Sequence, residues 1–262
     1  MPISASIPDE PTLTDMIPFV RIHAEAEAPR ECCGLIVTRA DPPRLMYIAC
    51  TNLAKQTEHF IIDPKGYARA EDTGAVIAIV HSHVYEPPEP SLADRTGIER
   101  SMLPWLIVNH PLGTYSITHP SGFVAPLIGR PFVHGVHDCY ALVRDHYAGQ
   151  GIVLNDYART YGWWDDPEGP DMYRANFRTE GFVTVINGQP TSGDLAQLRT
   201  HDLILMRIRA VRDNHMAVYL GGGVILHHMI GQASRHEYFQ EFYQRRTVAV
   251  MRHHALMEPA SC

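Results

Sequence analysis

Several features that mark other classes of protein are missing from this sequence. No apolar run approaches the roughly eighteen residues that a membrane-spanning helix needs, so we expect no membrane span. No basic cluster occurs, and 22 Lys and Arg against 29 Asp and Glu give a net charge of −7, so nucleic acid is not an expected partner. Residues 1–9 are short and polar, unlike a secretion signal, so we expect the protein to be made and kept in the cytoplasm.

Cysteines are few and follow no disulfide or metal-binding spacing. The chain has five, an odd number, at positions 32, 33, 50, 139 and 262. Cys32 and Cys33 are adjacent within an apolar run, which is typical of buried thiols in a reducing compartment.

Length and composition predict two domains. A chain of 262 residues with 45% hydrophobic residues is long enough for two ordinary cores. Proline and glycine interrupt the periodicity between residues 119 and 131, so we place a linker there. The sequence therefore predicts one domain over 1–120 and another over 132–262, without internal repeats.

Hydrophobic periodicity predicts a mixed α/β (α+β) fold in both domains. In the first domain we expect helices over 16–28, 64–72 and from 91, and strands over 32–38, 44–50, 75–81, 105–109 and 113–118. In the second we expect a helix from 138, an irregular stretch over 156–178, and strands between 182 and 229. The polar segment Arg252-His253-His254 is predicted to lie on the surface.

The most informative segment follows the apolar run 75–80. It reads His81-Ser82-His83, then seven residues, then Ser91-Leu92-Ala93-Asp94. Two histidines two positions apart on an extended segment point to one face, and Asp94, in the first turn of a helix capped by Ser91, can fold back onto that face. Three protein ligands leave the fourth position of a tetrahedral zinc open, which is typical of a catalytic site.

Together with Glu31, which precedes an apolar strand, this spacing resembles the JAMM metalloprotease motif over roughly residues 10–120. The resemblance implies that His81, His83 and Asp94 bind Zn²⁺, that Glu31 is the general base, and that Ser91 stabilises the oxyanion. It also implies a mixed β-sheet flanked by helices. Val84 stands where many members have proline, and no ligand is affected. The alternatives are surface histidines beside a proline loop, or a relic that has lost its metal.

A second chemistry is indicated downstream. Cys139 opens an amphipathic helix, and the partial positive charge of a helix N-terminus predicts a lowered thiol pKa. His215 opens an alternating apolar strand, and the next strand ends in His227 and His228. The order predicts a nucleophile, a base and an orienting residue, while strand alternation cannot decide between His227 and His228. The alternative is a buried structural cysteine.

These three motifs resemble the NlpC-type family of papain-like cysteine peptidases, which cleave cell-wall peptides, over about residues 132–250. The family pattern favours His227 as the orienting residue. His201-Asp202 departs from the usual Gly-Asp, and we expect only a local backbone adjustment there. The aromatic and acidic stretch from Tyr157 to Tyr173 either lines a substrate cleft or packs as a loop over the core.

The order of the two modules resembles the tail assembly protein K family of lambda-like tailed bacteriophages, over nearly the whole chain. The resemblance implies a bifunctional peptidase whose partners are other tail-tip proteins, one of them with a ubiquitin-like domain, and bacterial peptidoglycan peptides. It places the protein in the cytoplasm of the bacterial host during assembly, or at the virion tail tip. Two alternatives stay open: a structural tail-tip protein whose domains serve only for docking, and a bacterial peptidoglycan hydrolase with an idle JAMM domain.

Overall fold

The structure of the chain is a computed structural model that describes residues 12–40 and 43–257. The chain divides into two compact units between Val124 and Ala125, inside the segment 119–131. Each unit contains one β-sheet with helices, so the predicted mixed α/β fold is confirmed. No helix in the described part of the chain is long and apolar enough to cross a membrane.

The first unit is built on a five-stranded sheet with the order β2-β1-β3-β4-β5. Its described elements are α1 (Ile17–Glu27), β1 (Cys33–Ala40), β2 (Pro43–Cys50), α2 (Pro64–Thr73), β3 (Ala75–Val84), α3 (Leu92–Ser101), β4 (Trp105–His110) and β5 (Tyr115–Thr118). The β3 and β4 strands are parallel, with α3 between them in the chain, and the other neighbours are antiparallel. Helices cover both faces of the sheet, which explains the continuous apolar character of β1 and β3.

The two faces of this sheet have separate cores. Val20 and Ala24 of α1 pack on one face with Ile36. Ala70 of α2 and Ile98 of α3 pack on the other face, in the cluster that also contains Ile79, Cys33 and Trp105. Because side chains alternate along a strand, the face that takes Ile79 also takes the residues two and four positions further along β3.

The second unit is built on a six-stranded antiparallel sheet with the order β10-β9-β8-β7-β11-β6. Its described elements are α4 (Cys139–Ala148), α5 (Met172–Thr179), β6 (Phe182–Asn187), α6 (Ser192–Leu195), β7 (Leu203–Met206), β8 (His215–Gly221), β9 (Val224–His227), β10 (Arg235–Tyr238), α7 (Glu241–Gln244) and β11 (Thr247–His253). The buried side chains of α4 and α5 pack on one face of this sheet, with Leu203, Met216 and Val218.

Two expectations about the second unit are wrong. The stretch 156–178 is not irregular throughout, because its end forms α5, which buries Tyr173 and Phe177 one helical turn apart. His253 does not lie on the surface: it is buried in β11, and its ring packs against Phe182. Polar residues in a sequence indicate exposure only when they do not belong to a strand of a sheet.

His201, which stands where the Gly-Asp pattern has glycine, lies in the turn before β7. His201 adopts a left-handed φ of 71°, a conformation that favours glycine. Its imidazole is hydrogen-bonded to that of His146 at 2.9 Å, and the following Asp202 is buried and paired with Arg252. The turn before β7 is therefore held by one contact to α4 and one to β11.

Candidate active sites

The β3 strand brings two histidines to one face of the first sheet. His81 and His83 alternate with Ser82, on the face that Ile79 shares with α3. His81 is fully buried, and its ring stacks on Phe60 at 4.5 Å between centroids. The strand runs through both histidines to Val84, further than the sequence predicts, and its extended geometry holds the two rings side by side.

The N-terminus of α3 supplies the third donor. Ser91 is the N-cap residue: its hydroxyl oxygen accepts the backbone N–H of Asp94 at 3.1 Å, and its own backbone N–H donates to the Asp94 carboxylate at 2.8 Å. This reciprocal capping box turns the carboxylate towards β3. One oxygen of Asp94 lies 3.4 Å from Nε2 of His81, and the other lies 3.4 Å from Nε2 of His83.

The three side chains have the spacing that a small tetrahedral cation requires. Nε2 of His81 and Nε2 of His83 are 3.2 Å apart, and each of them lies 3.4 Å from a different oxygen of the Asp94 carboxylate. Tetrahedral zinc with bonds of about 2.0–2.1 Å separates its ligand atoms by about 3.3–3.4 Å. Nδ1 of His83 is 2.6 Å from the carbonyl oxygen of Pro87. Because a carbonyl oxygen only accepts, Nδ1 carries the hydrogen, and the electron pair of Nε2 is available to a metal. The residues present therefore fit a zinc ion.

The charge of this cluster also suits a cation. Burial opposes ionisation of Asp94, but His81, His83 and Ser91 outweigh it and hold the pKa of this carboxyl well below its usual range. Burial likewise opposes a charged His83, yet the Asp94 carboxylate and the Pro87 carbonyl raise its pKa to about 9. The Asp94 carboxylate thus attracts a positive charge to this cluster, and the proton on His83 is one such charge.

Glu31 lies two residues before β1, the strand that pairs with β3. Its neighbour Cys32 donates a backbone N–H to the hydroxyl of Ser82, between the two histidines. Glu31 is 7% exposed, and burial raises its pKa to about 7, although His81 and His83 act in the opposite direction. A carboxyl with a pKa near 7 suits a general base at neutral pH.

Asn52 fixes the backbone around Glu31, and sequence patterns gave no sign of it. Its amide nitrogen donates to the carbonyl oxygens of Glu31 and His59, and its amide oxygen accepts the N–H groups of Ala54 and Ile61. All four hydrogen-bonding positions of this buried side chain are used. The loop after β2 is thereby bound to the residue proposed as the base.

In the second unit, Cys139 is the first residue of α4. Asp138 caps the helix by accepting the backbone N–H of Ala141 at 2.9 Å, and it is held by Arg159 at 2.7 Å. Both side chains of this ion pair are almost completely buried. The Arg159 contact spans 21 positions of sequence, and no local motif predicts it.

The pKa of Cys139 is not lowered, contrary to the sequence-based expectation. Burial raises it to about 12, and the adjacent Asp138 carboxylate adds to the increase. A thiol that is 6% exposed has lost much of the water that would solvate a thiolate, and the partial charge of a helix N-terminus does not compensate. Burial also lowers the pKa of His215 to about 3. The resting pair is therefore a neutral thiol and a neutral imidazole.

The histidines of β8 and β9 are arranged in a chain. Nε2 of His215 lies 3.3 Å from Nδ1 of His227, and Nε2 of His227 lies 3.1 Å from the Glu237 carboxylate. His228 points elsewhere, because its Nε2 is bonded to the carbonyl oxygen of Gln232 at 3.1 Å. The structure thus places His227, rather than His228, against His215.

Cys139 and His215 line one cavity. Sγ of Cys139 lies 3.9 Å from the carbonyl oxygen of Asn214, the residue before His215. The cavity walls are mainly apolar and aromatic, formed by Phe132, Trp164, Tyr173, Ile208 and Ile230, with His228 beside them. Of the aromatic stretch from Tyr157 to Tyr173, Trp164 and Tyr173 line this cavity while Tyr157 and Trp163 pack against the core. Part of that stretch therefore lines the cavity, and part packs over the core.

Comparison with known families agrees with the two units. Residues 16–119 match the family described as prokaryotic homologs of the JAB domain. Residues 129–252 match the NlpC/P60 family. The fold and the two clusters thus define a two-domain protein in which a JAB-type domain precedes an NlpC/P60 domain.

Whole-chain relatives give the family. The tail tip assembly protein K of Escherichia phage N15 is 36% identical over 248 residues, which are 94% of this chain and 97% of the relative. The protein of the same name from Escherichia phage lambda is 36% identical over 194 residues, 74% of this chain and 90% of the relative. The chain belongs to the tail tip assembly protein K family, and the resemblance inferred from its motifs is confirmed.

Two solved structures show weaker likenesses. The solution structure of protein DSY2949 from Desulfitobacterium hafniense is 26% identical, with 40% of this chain and 78% of that chain covered and a TM-score of 0.30. The crystal structure of an NlpC/P60 family protein from Bacillus cereus ATCC 10987 is 10% identical, with 87% and 65% covered and a TM-score of 0.31. Both scores are low, so the family assignment rests on the sequence comparisons.

Proposed function

We propose that the protein is a bifunctional tail-tip assembly peptidase, with a zinc-dependent (iso)peptidase site in the first unit and a cysteine peptidase site in the second. One observation carries the proposal: within each unit, residues that the sequence motifs predict to be catalytic or metal-binding lie in one cluster or around one cavity. In the first unit the donor atoms of His81, His83 and Asp94 lie within 4.8 Å of one another. In the second, Cys139 and His215 line one cavity.

In the zinc unit, His81, His83 and Asp94 would hold the ion. A zinc ion bound there supplies a Lewis acid and lowers the pKa of a water molecule. Glu31 accepts a proton from the attacking water and passes it to the leaving amine. Ser91 donates its hydroxyl hydrogen to the oxygen that becomes negatively charged, and its position beside Asp94 supports this role.

In the thiol unit, Cys139 is the nucleophile and His215 the base. His215 takes the thiol proton as the sulfur attacks the carbonyl carbon, and it returns that proton to the leaving amine as the thioester forms. Water then hydrolyses the thioester and regenerates the thiol. His227 orients the base through its contact with Nε2 of His215. Because both groups are neutral at rest, the proton moves only when a substrate carbonyl is in place.

The proposed substrates rest on the family context. The relatives are named as tail tip assembly proteins, and we infer that this chain likewise acts with other tail-tip proteins, in the cytoplasm of the host or at the virion tail tip. The thiol unit would cut peptidoglycan stem peptides, near a γ-linked D-glutamate. The zinc unit would process a tail-tip partner that carries a ubiquitin-like domain.

The test is digestion of purified peptidoglycan by the full chain, followed by mass analysis of the muropeptides. We expect cuts within stem peptides that disappear with Cys139→Ala and persist in the presence of a chelator, because each set of groups is complete within its own unit. Cuts confined to the glycan, or activity lost to the chelator, would contradict the assignment of the thiol site.

A further inference from the structure

The chain of contacts behind the proposed nucleophile does not end at His227. Glu237 lies on β10, which is paired with β9 so that Arg235 is opposite His227 and Glu237 is opposite Ile225. One oxygen of Glu237 is 3.1 Å from Nε2 of His227, and the same oxygen accepts Nε and Nη2 of Arg235 at 2.9 and 2.7 Å. The carboxylate is thus fixed by one strand and directed at the last histidine of the neighbouring strand.

We propose that Glu237 is a positioning residue that sets the protonated nitrogen of both His227 and His215. The proposal rests on the proposed thiol peptidase function. It adds a fourth member to a chain that the sequence motifs end at the second histidine.

The donors and acceptors along these contacts fix the position of each hydrogen in turn. An ionised carboxylate can only accept, so Nε2 of His227 must carry the hydrogen, and Nδ1 of His227 is left with its electron pair. That electron pair can only accept from Nε2 of His215, 3.3 Å away. Nδ1 of His215 is then unprotonated, which is the form that a base facing Cys139 needs. One carboxylate therefore determines the state of an imidazole two contacts away.

The surroundings of Glu237 keep it ionised. Burial opposes its ionisation, but hydrogen bonds from Arg235, Tyr243 and His227 outweigh burial and hold its pKa below the usual range. The ring of Tyr243 also packs edge-on against His227, at 5.1 Å between centroids, and restricts its rotation. The carboxylate is also placed to stabilise the positive charge that reaches His215 when it takes the thiol proton.

Without the carboxylate, the hydrogen bond between His227 and His215 can reverse its direction. If residue 237 cannot accept, the freed Arg235 can donate towards Nε2 of His227, which moves the hydrogen to Nδ1. His227 then donates to Nε2 of His215, and Nδ1 of His215 becomes protonated and unable to act as a base. Glu237→Met removes the acceptor with a similar side-chain length, whereas Glu237→Gln keeps an acceptor and removes the charge.

The experiment compares full-length wild type, Glu237→Met and Glu237→Gln, with Glu241→Met as a control, since Glu241 is an exposed glutamate paired with Arg245. Two-bond ¹H–¹⁵N correlations of ¹⁵N-histidine protein report which ring nitrogen carries hydrogen, and His215→Gln and His227→Gln assign the signals. We expect Nε2–H on both histidines in wild type, Glu237→Gln and the control, and Nδ1–H in Glu237→Met. Against stem peptide, we expect kcat to fall by about tenfold or more in Glu237→Met and less in Glu237→Gln, with KM nearly unchanged.

The outcomes separate this proposal from the function on which it rests. Unchanged tautomers in Glu237→Met, or Nδ1–H in wild type, overturn the role of Glu237 whatever the activity. A wild-type protein with the expected tautomers that cuts no stem peptide leaves the role of Glu237 supported and overturns the proposed activity. If Glu237→Met does not fold, Glu237→Gln decides: we expect its kcat to be lowered with KM and tautomers retained, and a wild-type kcat overturns the proposal.

Discussion

Ser91 and Asp94 hold each other through two reciprocal hydrogen bonds, and the second of these residues is also a member of the candidate metal cluster. The backbone N–H of Ser91 donates to the Asp94 carboxylate at 2.8 Å, and the Ser91 hydroxyl accepts the backbone N–H of Asp94 at 3.1 Å. A capping box usually serves only the start of a helix. Here it also orients a carboxylate towards His81 and His83, so the helix start and the donor cluster depend on the same two residues.

Zinc content tests the donor cluster directly. We expect purified protein to carry about one zinc, and His81→Ala or Asp94→Ala to lose it, because two remaining ligands bind zinc far more weakly than three. Glu31→Gln is expected to retain the metal and lose the hydrolysis. His119→Ala, outside the cluster, is the matched control, and elemental analysis is the measurement. Zinc at the wild-type level in His81→Ala would be incompatible with the ligand set.

Asn52 is expected to stabilise the first unit and to position Glu31. Asn52→Ala removes the partner of four backbone groups, of which the Glu31 carbonyl and the Ala54 N–H are in buried hydrogen bonds. Each buried group left without a partner costs about 1–3 kcal/mol. We therefore expect the free energy of unfolding to fall by roughly 2–6 kcal/mol, as measured by chemical denaturation. The exposed Asn187 offers a control: Asn187→Ala is expected to change stability little. Equal effects of the two substitutions would show that the Asn52 contacts contribute little.

Alkylation of Cys139 should reveal a neutral thiol at rest. Its pKa is raised to about 12 and that of His215 is lowered to about 3, so neither group is charged near pH 7. Between pH 6 and 9 the thiolate fraction, and with it the rate of reaction with iodoacetamide, is expected to rise about tenfold per pH unit. Mass spectrometry of the Cys139 peptide distinguishes this thiol from the others. A rate that is already constant at pH 6 would indicate a thiolate–imidazolium pair instead.

The parts of the sites that sequence predicts are those defined by local geometry. His81 and His83 are two positions apart on a strand, and Ser91 and Asp94 are three apart at a helix start, so their spacing alone brings each pair together. Cys139 at the start of α4 is also a local feature. These elements could be placed before any fold was known.

The remainder depends on contacts between distant segments. Asn52 reaches Glu31 across 21 positions, and Glu237 reaches His227 only because β10 pairs with β9. The predicted direction of the Cys139 pKa shift is wrong for the same reason: a helix start is visible in the sequence, whereas the depth of burial is set by the whole fold. Sequence thus indicates the candidate groups, and tertiary packing determines their protonation.

The substrate of the zinc unit gives the last prediction. The cluster lies at the end of β3, beside the loop that contains Pro87, whose carbonyl oxygen contacts His83. An extended peptide can add to an exposed sheet edge through backbone hydrogen bonds, and small residues at the cut would enter a narrow metal site. A glycine-containing linker after a ubiquitin-like domain has both properties, and cutting there would divide a tail-tip partner into two stable pieces.

Co-expression with the adjacent tail proteins tests this prediction. We expect wild type to yield a shortened partner, and Glu31→Gln to yield an intact one that remains bound, because the base is lost while the metal cluster keeps its ligands. Cys139→Ala is the matched control and is expected to leave the shortening unchanged, since its thiol belongs to the other unit. If the partner stays intact with wild type, or if Cys139→Ala alone prevents the cut, the processing cannot be assigned to the zinc site.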